Sequence, residues 1–94
     1  MVVPTGFTPN GDALNDLLLV HGRSGTMIHL FQVFDRWGEL MYQDVDVPIN
    51  DLTRGWNGTF KSKDMPPGVY VWYIEAEYAD GMTESFKGET TLIR

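Results

Sequence analysis

The stretch most suggestive of chemistry is a loop near the N-terminus that is dense in Asn and Asp. Its side chains Asn10, Asp12, Asn15 and Asp16 place several oxygen atoms within one turn-forming segment. Ca²⁺ prefers such oxygen ligands, although the spacing is not that of an EF-hand loop. The same side chains can instead bond to their own backbone and cap the turn. The sequence therefore leaves two interpretations open, a calcium site formed by these four residues or a self-capped turn.

The residue types needed for catalysis do not form a recognisable set. His21 and His29 are the only histidines, and neither has the spacing of a metal or catalytic motif. The chain has no cysteine, which excludes disulfides and thiol catalysis. The serines lie in no nucleophile-elbow pattern. We therefore expect structural roles for both histidines and a protein that is not an enzyme.

Three tryptophans raise the question of sugar binding. Trp37, Trp56 and Trp72 would form a stacking platform for carbohydrate if their rings were exposed together. Trp72 falls on the predicted core face of a strand, whereas Trp37 and Trp56 stand beside glycines in predicted turns. An indole ring buries a large apolar area, so packing is the favoured interpretation for all three.

Length and composition limit the class of protein. Ninety-four residues with 43% hydrophobic content are enough for one globular domain, residues 1–94. A net charge of −6 disfavours nucleic acid as a partner, because phosphate binding needs clustered basic residues. No apolar run approaches the roughly 18–20 residues that span a bilayer, and no signal peptide is visible. We expect either a cytoplasmic protein or a fragment whose targeting sequence lies upstream.

One strand organises the predicted fold. In residues 66–78 the side chains alternate, with an apolar and aromatic face made of Tyr70, Trp72, Ile74, Ala76 and Tyr78. A period of two is that of a half-buried β-strand. The prolines and glycine before it and the Asp-Gly pair after it predict turns at both ends.

The remaining segments predict further short strands separated by turns. Gly88 is predicted to form a β-bulge, and residues 43–54 an irregular connection between sheets. No segment keeps helical periodicity, so the predicted fold is an all-β, immunoglobulin-like antiparallel β-sandwich of about seven strands. The other strands are predicted at residues 3–9 (a short edge strand at most), 17–20, 27–34, 39–42, 59–61 and 83–93.

Six ordered sequence blocks resemble a known family. They are FTPNGD at 7–12, ND at 15–16, FDRWGEL at 34–40, GWNGT at 55–59, PGVYVW at 67–72 and KGETTLIR at 87–94. Together they resemble the gliding-motility-associated C-terminal domain of Bacteroidota, the type B sorting domain of the type IX secretion system. The chain departs from the family at Ala13, where glycine is usual, and this weakens the calcium interpretation of the loop.

The resemblance implies an Ig-like C-terminal sorting domain attached to an upstream passenger protein. The domain would be read in the periplasm by the type IX secretion machinery, with an outer-membrane protein of the PorP/SprF kind as partner. The passenger would then reach the cell surface or the medium. The alternatives are a calcium-dependent adhesive or carbohydrate-binding module of a cell-surface protein, and a purely structural Ig-like spacer.

The partner surface is predicted from the turns and the last strand. The glycines Gly38, Gly58 and Gly68 offer a competing explanation for the turns, because a positive φ angle or a close approach of the backbone would alone require glycine there. The last strand is favoured for docking, because a terminal edge strand can be extended by a partner strand. The predicted partner-binding residues are Asp35, Arg36, Trp37, Gly38, Trp56, Asn57, Lys87, Thr91, Leu92, Ile93 and Arg94.

Overall fold

The computed structural model describes residues 3–9, 17–51 and 54–93, and within these ranges the chain forms strands, turns and loops but no helix. The strands of this part of the chain are labelled in chain order. They are β1 Gly6–Phe7, β2 Met27–Phe34, β3 Leu40–Pro48, β4 Thr59–Phe60, β5 Lys63–Asp64, β6 Gly68–Glu77 and β7 Thr83–Leu92.

Two sheets make up the fold. The larger sheet has five strands in the order β1-β7-β6-β2-β3, and β4 with β5 forms a two-stranded hairpin sheet. The neighbours within β7-β6-β2-β3 are antiparallel, whereas β1 runs parallel to β7. The predicted all-β architecture of Ig-like type is confirmed, with one parallel pair at the β1 edge.

The strand β6 has the predicted position at the centre of the larger sheet. Its residues Tyr70, Ile74 and Ala76 are buried in the core, and Trp72 is half-buried against that core. From β7, Thr90 and Leu92 add to the same face and are buried, with Phe86 packed at its margin. Alternation along β6 therefore identified the core face correctly, because burial on one face of a sheet has a period of two.

The third strand is longer than the sequence predicts. Residues 43–48 continue β3 and pair with β2 as far as Pro48, so the prediction of an irregular connection over 43–54 was wrong for this part. Its acidic residues reduce the strand signal, since Asp is depleted in strands. In the folded protein the Arg54 guanidinium holds Asp44 through two contacts, Nε to Oδ2 at 2.9 Å and Nη2 to Oδ1 at 2.7 Å. This contact with Arg54 keeps the pKa of Asp44 below its usual value.

The predicted strand at residues 17–20 is reduced to one bridge. Leu18 pairs with Trp56 alone, with the Leu18 amide donating to the Trp56 carbonyl at 2.7 Å and the Trp56 amide donating to the Leu18 carbonyl at 3.2 Å. Leu18 and Val20 are buried, so this segment contributes side chains to the core from outside the larger sheet.

Gly88 is not a bulge. The register between β6 and β7 runs without a shift from Gly68↔Leu92 to Glu77↔Thr83, with Gly88 opposite Trp72. A Cβ atom at Gly88 would lie 2.5 Å from Cζ2 of the Trp72 indole. Glycine is needed here because the indole of the cross-strand neighbour covers its backbone, a reason that sequence spacing does not reveal.

The close approach of Trp72 predicts a stability defect for Gly88→Ala. The added methyl group must displace the indole, and overpacking of this kind costs about 1–3 kcal/mol in the free energy of unfolding. Urea denaturation measures the loss, with Glu89→Ala as the control on the exposed face of the same strand. A second substitution, Trp72→Val, should recover part of the loss in the Gly88→Ala background. An unchanged urea midpoint for Gly88→Ala would contradict the contact.

Candidate functional site

Strand directions bring two of the predicted partner segments, the turn at 35–38 and the end of β7, to one end of the larger sheet beside the start of β6. Strand β2 ends at Phe34, opposite Val71 near the start of β6. Strand β6 starts at Gly68, which pairs with Leu92 at the end of β7. The turn at 35–38, the start of β6 and the end of β7 therefore lie together, and we call this region (residues 35–38, 65–69 and 91–93) the turn end.

The turn at 35–38 is closed by one carboxylate. Oδ1 of Asp35 accepts hydrogen bonds from the amides of Trp37 at 2.9 Å and Glu39 at 2.8 Å. The backbone adds a bond from the Gly38 amide to the Asp35 carbonyl at 3.0 Å, and Gly38 has a φ of 85°. Asp side chains stabilise turns in this way, so the loop is held in one shape before any partner binds. Of the two reasons for glycine at Gly38, Gly58 and Gly68, a positive φ angle or a close approach, the first is present at all three.

This turn displays a tryptophan to solvent. Trp37 is 84% exposed, so the interpretation that it packs was wrong for this residue. The Arg36 guanidinium lies 5.8 Å from the centre of its ring. A cleft of about 110 Å³ is lined by Trp37, by Pro66 and Pro67, and by Val69. Exposed Trp and Arg are the side chains that most often anchor protein interfaces, so the turn end has the chemistry of a docking surface.

Other residues of the predicted surface have structural positions. Trp56 and Leu92 are each 1% exposed, so their side chains are part of the core and out of reach of a partner. Asn57 is exposed, but its Oδ1 accepts bonds from the Thr59 amide at 3.1 Å and the Thr59 hydroxyl at 2.7 Å, and so caps its own turn. With Trp56 buried and Trp72 half-buried, Trp37 alone of the three presents most of its ring, and no three-tryptophan platform forms.

The end of β7 is not a free edge. The amides of Thr91 and Ile93 donate to the carbonyls of Thr5 at 2.8 Å and Phe7 at 3.0 Å, because β1 lies beside them. The prediction of a terminal edge strand is therefore wrong for these residues, although both side chains are exposed. Lys87 is exposed further back on β7, opposite Tyr73. Arg94 lies outside the described residues.

The structure shows a histidine, His29, with two carboxylate partners that the sequence did not predict. His29 occupies a register shift between β2 and β6, with Nε2 at 3.0 Å from Glu77 Oε1 and Nδ1 at 3.4 Å from Asp46 Oδ1. These hydrogen bonds, with Glu77 the larger contributor, raise the pKa of His29 above its usual value. The three residues come from three neighbouring strands and are far apart in the chain, so only the sheet register brings them together.

Comparison with known families decides the identity. The CHU_C Type IX secretion signal domain family matches residues 1–92 of the chain. The chain belongs to this family. No curated protein matches it.

Membership fixes the general role of this Type IX secretion signal domain. It acts as a sorting signal, it interacts with the secretion machinery, and it belongs to a protein that is secreted or displayed at the cell surface. This family of secretion signals is not a known enzyme family. Among the described residues no helix is long and apolar enough to span a membrane.

The calcium interpretation stays a prediction for this secretion signal domain. The four proposed ligands, Asn10, Asp12, Asn15 and Asp16, fall outside the residues that the structure describes. In the described ranges no group of three or more acidic or histidine side chains is arranged to hold a metal ion.

The His29 cluster predicts a pH dependence of stability. Since the folded pKa lies above the usual 6.5, the protonated form stabilises the sheet. The contribution is complete below the unfolded pKa and is lost as the pH rises through the folded pKa. His29→Gln should therefore lower the urea midpoint more at pH 5.5 than at pH 8.5. Equal effects of the substitution at both pH values would contradict the proposed charge interaction.

Proposed function

We propose that this domain directs an upstream passenger protein through the type IX secretion system across the outer membrane, and that it is recognised as a folded domain. The recognising partner in this proposal is an outer-membrane protein of the PorP/SprF kind, in a bacterium of the Bacteroidota. The family match over residues 1–92 supports the sorting role. The observation that carries recognition of a folded shape is the turn end, with its exposed Trp37.

The assembly of the turn end supports the proposal that a folded shape is recognised. Its members come from residues 35–38, 65–69 and 91–93, which are far apart in the chain and meet only through strand pairing. An unfolded chain would present each piece alone. A receptor that binds the combined surface would therefore distinguish a folded sorting domain from an unfolded one.

The turn end also exposes apolar side chains, as the centre of a protein interface does. Val69 is 47% exposed and Ile93 is 50% exposed, and both lie on the outer side of the sheet. Val69 lines the same cleft as Trp37. The charged residues Asp35 and Arg36 line this cleft as well. Apolar side chains beside charged ones are the composition expected of a docking patch with a dry centre and a polar rim.

The proposal is tested by fusing residues 1–94 to a periplasmically exported fluorescent reporter in a Bacteroidota host. The fusion should bring the reporter to the cell surface or the medium. An unrelated β-sandwich fused at the same point should leave it in the periplasm. If both fusions behave alike, the domain carries no sorting information and the proposal is wrong.

The docking role of the turn end is tested by Trp37→Ala in the same fusion. Loss of an interface anchor costs about 2 kcal/mol or more, which corresponds to roughly a 30-fold weaker complex, so export should fall severely. Because Trp37 is exposed, the free energy of unfolding should change by no more than about 0.5 kcal/mol. The control is Met82→Ala, since Met82 is 65% exposed at the opposite hairpin. Normal export of the Trp37→Ala fusion would exclude Trp37 as an anchor.

A further inference from the structure

The two sides of strand β7 differ along its length. One side pairs with β6 over the whole strand, from Thr83 to Leu92. On the other side β1 pairs only with Thr91 and Leu92. Among the described residues, the stretch 83–89 therefore has no strand beside it, and we call this stretch the open edge.

The register shows which backbone groups face outward along the open edge. The Tyr78 amide donates to the Met82 carbonyl at 2.8 Å, so these two residues form a hydrogen-bonded pair. Such pairs alternate along the register of β6 and β7, and the even-numbered residues of β7 therefore bond to β6. The amides and carbonyls of the odd-numbered residues then point away from β6. At the far end this parity is visible, since the Thr91 amide donates to Thr5 of the β1 segment. Along the open edge the outward-facing residues are Thr83, Ser85, Lys87 and Glu89.

The opposite edge of the sheet, formed by β3, has features that hinder pairing with another strand. The open edge lacks these features. On β3, the Arg54 guanidinium donates to the carbonyls of Val45 at 2.9 Å and Asp46 at 3.5 Å. Asp46 has a φ of 52°, which bends the edge, and the strand ends in Pro48. Proteins use such devices to prevent pairing with foreign strands. The open edge has neither proline nor a residue of positive φ.

We propose that the open edge accepts an extended strand from a protein of the export machinery, and that this strand carries basic residues. The proposal rests on the proposed function and deepens it. Strand addition supplies backbone hydrogen bonds for affinity, and the side chains beside them supply specificity. The outward groups of four β7 residues offer donors and acceptors for one such strand over the length of the open edge.

The acidic charge beside the open edge favours a basic strand over a second copy of this chain. Glu84 and Glu89 on β7 and Glu75 on β6 are exposed beside the open edge, where Lys87 is the single base of β7. A second copy of the chain would bring the same excess of acid and a net charge of −6. A basic strand is instead attracted to this edge, and like charges directly opposite each other are destabilising in a sheet.

The test uses the reporter fusion with Ser85→Pro. Because the Ser85 amide points outward, proline removes a donor of the open edge and leaves the backbone hydrogen bonds between β6 and β7 in place. The side-chain hydrogen bond between Ser85 and Tyr73 is lost as well. Export should fall at least tenfold, while the purified domain keeps a cooperative thermal transition. The matched proline control is Ala79→Pro, since Ala79 is the second residue of the hairpin turn closed by the Gly81 amide on Tyr78. This control should be exported like the parent.

A second variant, Glu89→Lys, leaves the backbone unchanged. It should reduce export several-fold because it repels a basic strand, whereas Gln43→Lys on the exposed part of β3 adds a positive charge away from the open edge and should not. If Ser85→Pro fails to fold, Glu89→Lys decides alone, and normal export of that variant overturns the proposal. Sedimentation of the purified domain provides one more outcome: a dimer that Ser85→Pro abolishes would show a second copy on the edge and overturn the proposal.

The results separate this inference from the proposed function. If the parent fusion stays in the periplasm, the sorting proposal fails and the inference fails with it. If the parent and a folded Ser85→Pro fusion are exported equally, sorting stands and strand addition at the open edge is overturned.

Discussion

The burial of the Trp56 indole is the interaction on which the rest of the structure depends. Its ring lies 4.9 Å from that of Tyr70 on β6 and 5.5 Å from that of Phe7 on β1, measured between ring centres. Its Nε1 donates to the Thr59 carbonyl at 2.9 Å, so the polar atom is satisfied inside the core. The bridge to Leu18 fixes its backbone, and Gly55 permits that bridge because a Cβ there would lie 2.4 Å from the Leu18 carbonyl oxygen. The Trp56 side chain thus joins the segment around Leu18 to the larger sheet.

The core reaches the turn end through Tyr70. Its ring packs against Trp56 inside the fold, and its hydroxyl donates to the Pro66 carbonyl at 2.7 Å. Pro66 in turn lines the cleft beside the exposed Trp37. The shape of the proposed docking surface is therefore set by packing beneath it, not by the exposed residues alone. This explains why Trp56 belongs to a family sequence block without being accessible to a partner.

The sequence predicts those parts of the fold whose causes are local. Alternation along β6 reveals its faces, because burial in a sheet repeats every two residues. Trp37 and Trp56 look alike in sequence, each in a turn beside glycine, yet one is exposed and the other buried. The difference comes from their partners. The Asp35 side chain closes the first turn locally, whereas the backbone of Trp56 pairs with Leu18, which is distant in the chain and buried in the core. The length of β3, the reason for Gly88 and the His29 cluster likewise depend on contacts between strands, which a single sequence does not display.

One end of strand β7 is part of the core, and this structural role must be distinguished from a role in binding a partner. Thr90 and Leu92 are buried, and the Thr90 hydroxyl donates to the Pro4 carbonyl at 2.9 Å. Deleting the strand would remove one of the two neighbours of β6, the one that pairs with it along its whole length, and would expose the core. If export were lost after such a deletion, the cause could be unfolding of the domain as well as loss of recognition. Only substitutions at exposed atoms, where the core is left intact, distinguish a surface that is read from a strand that holds the domain together.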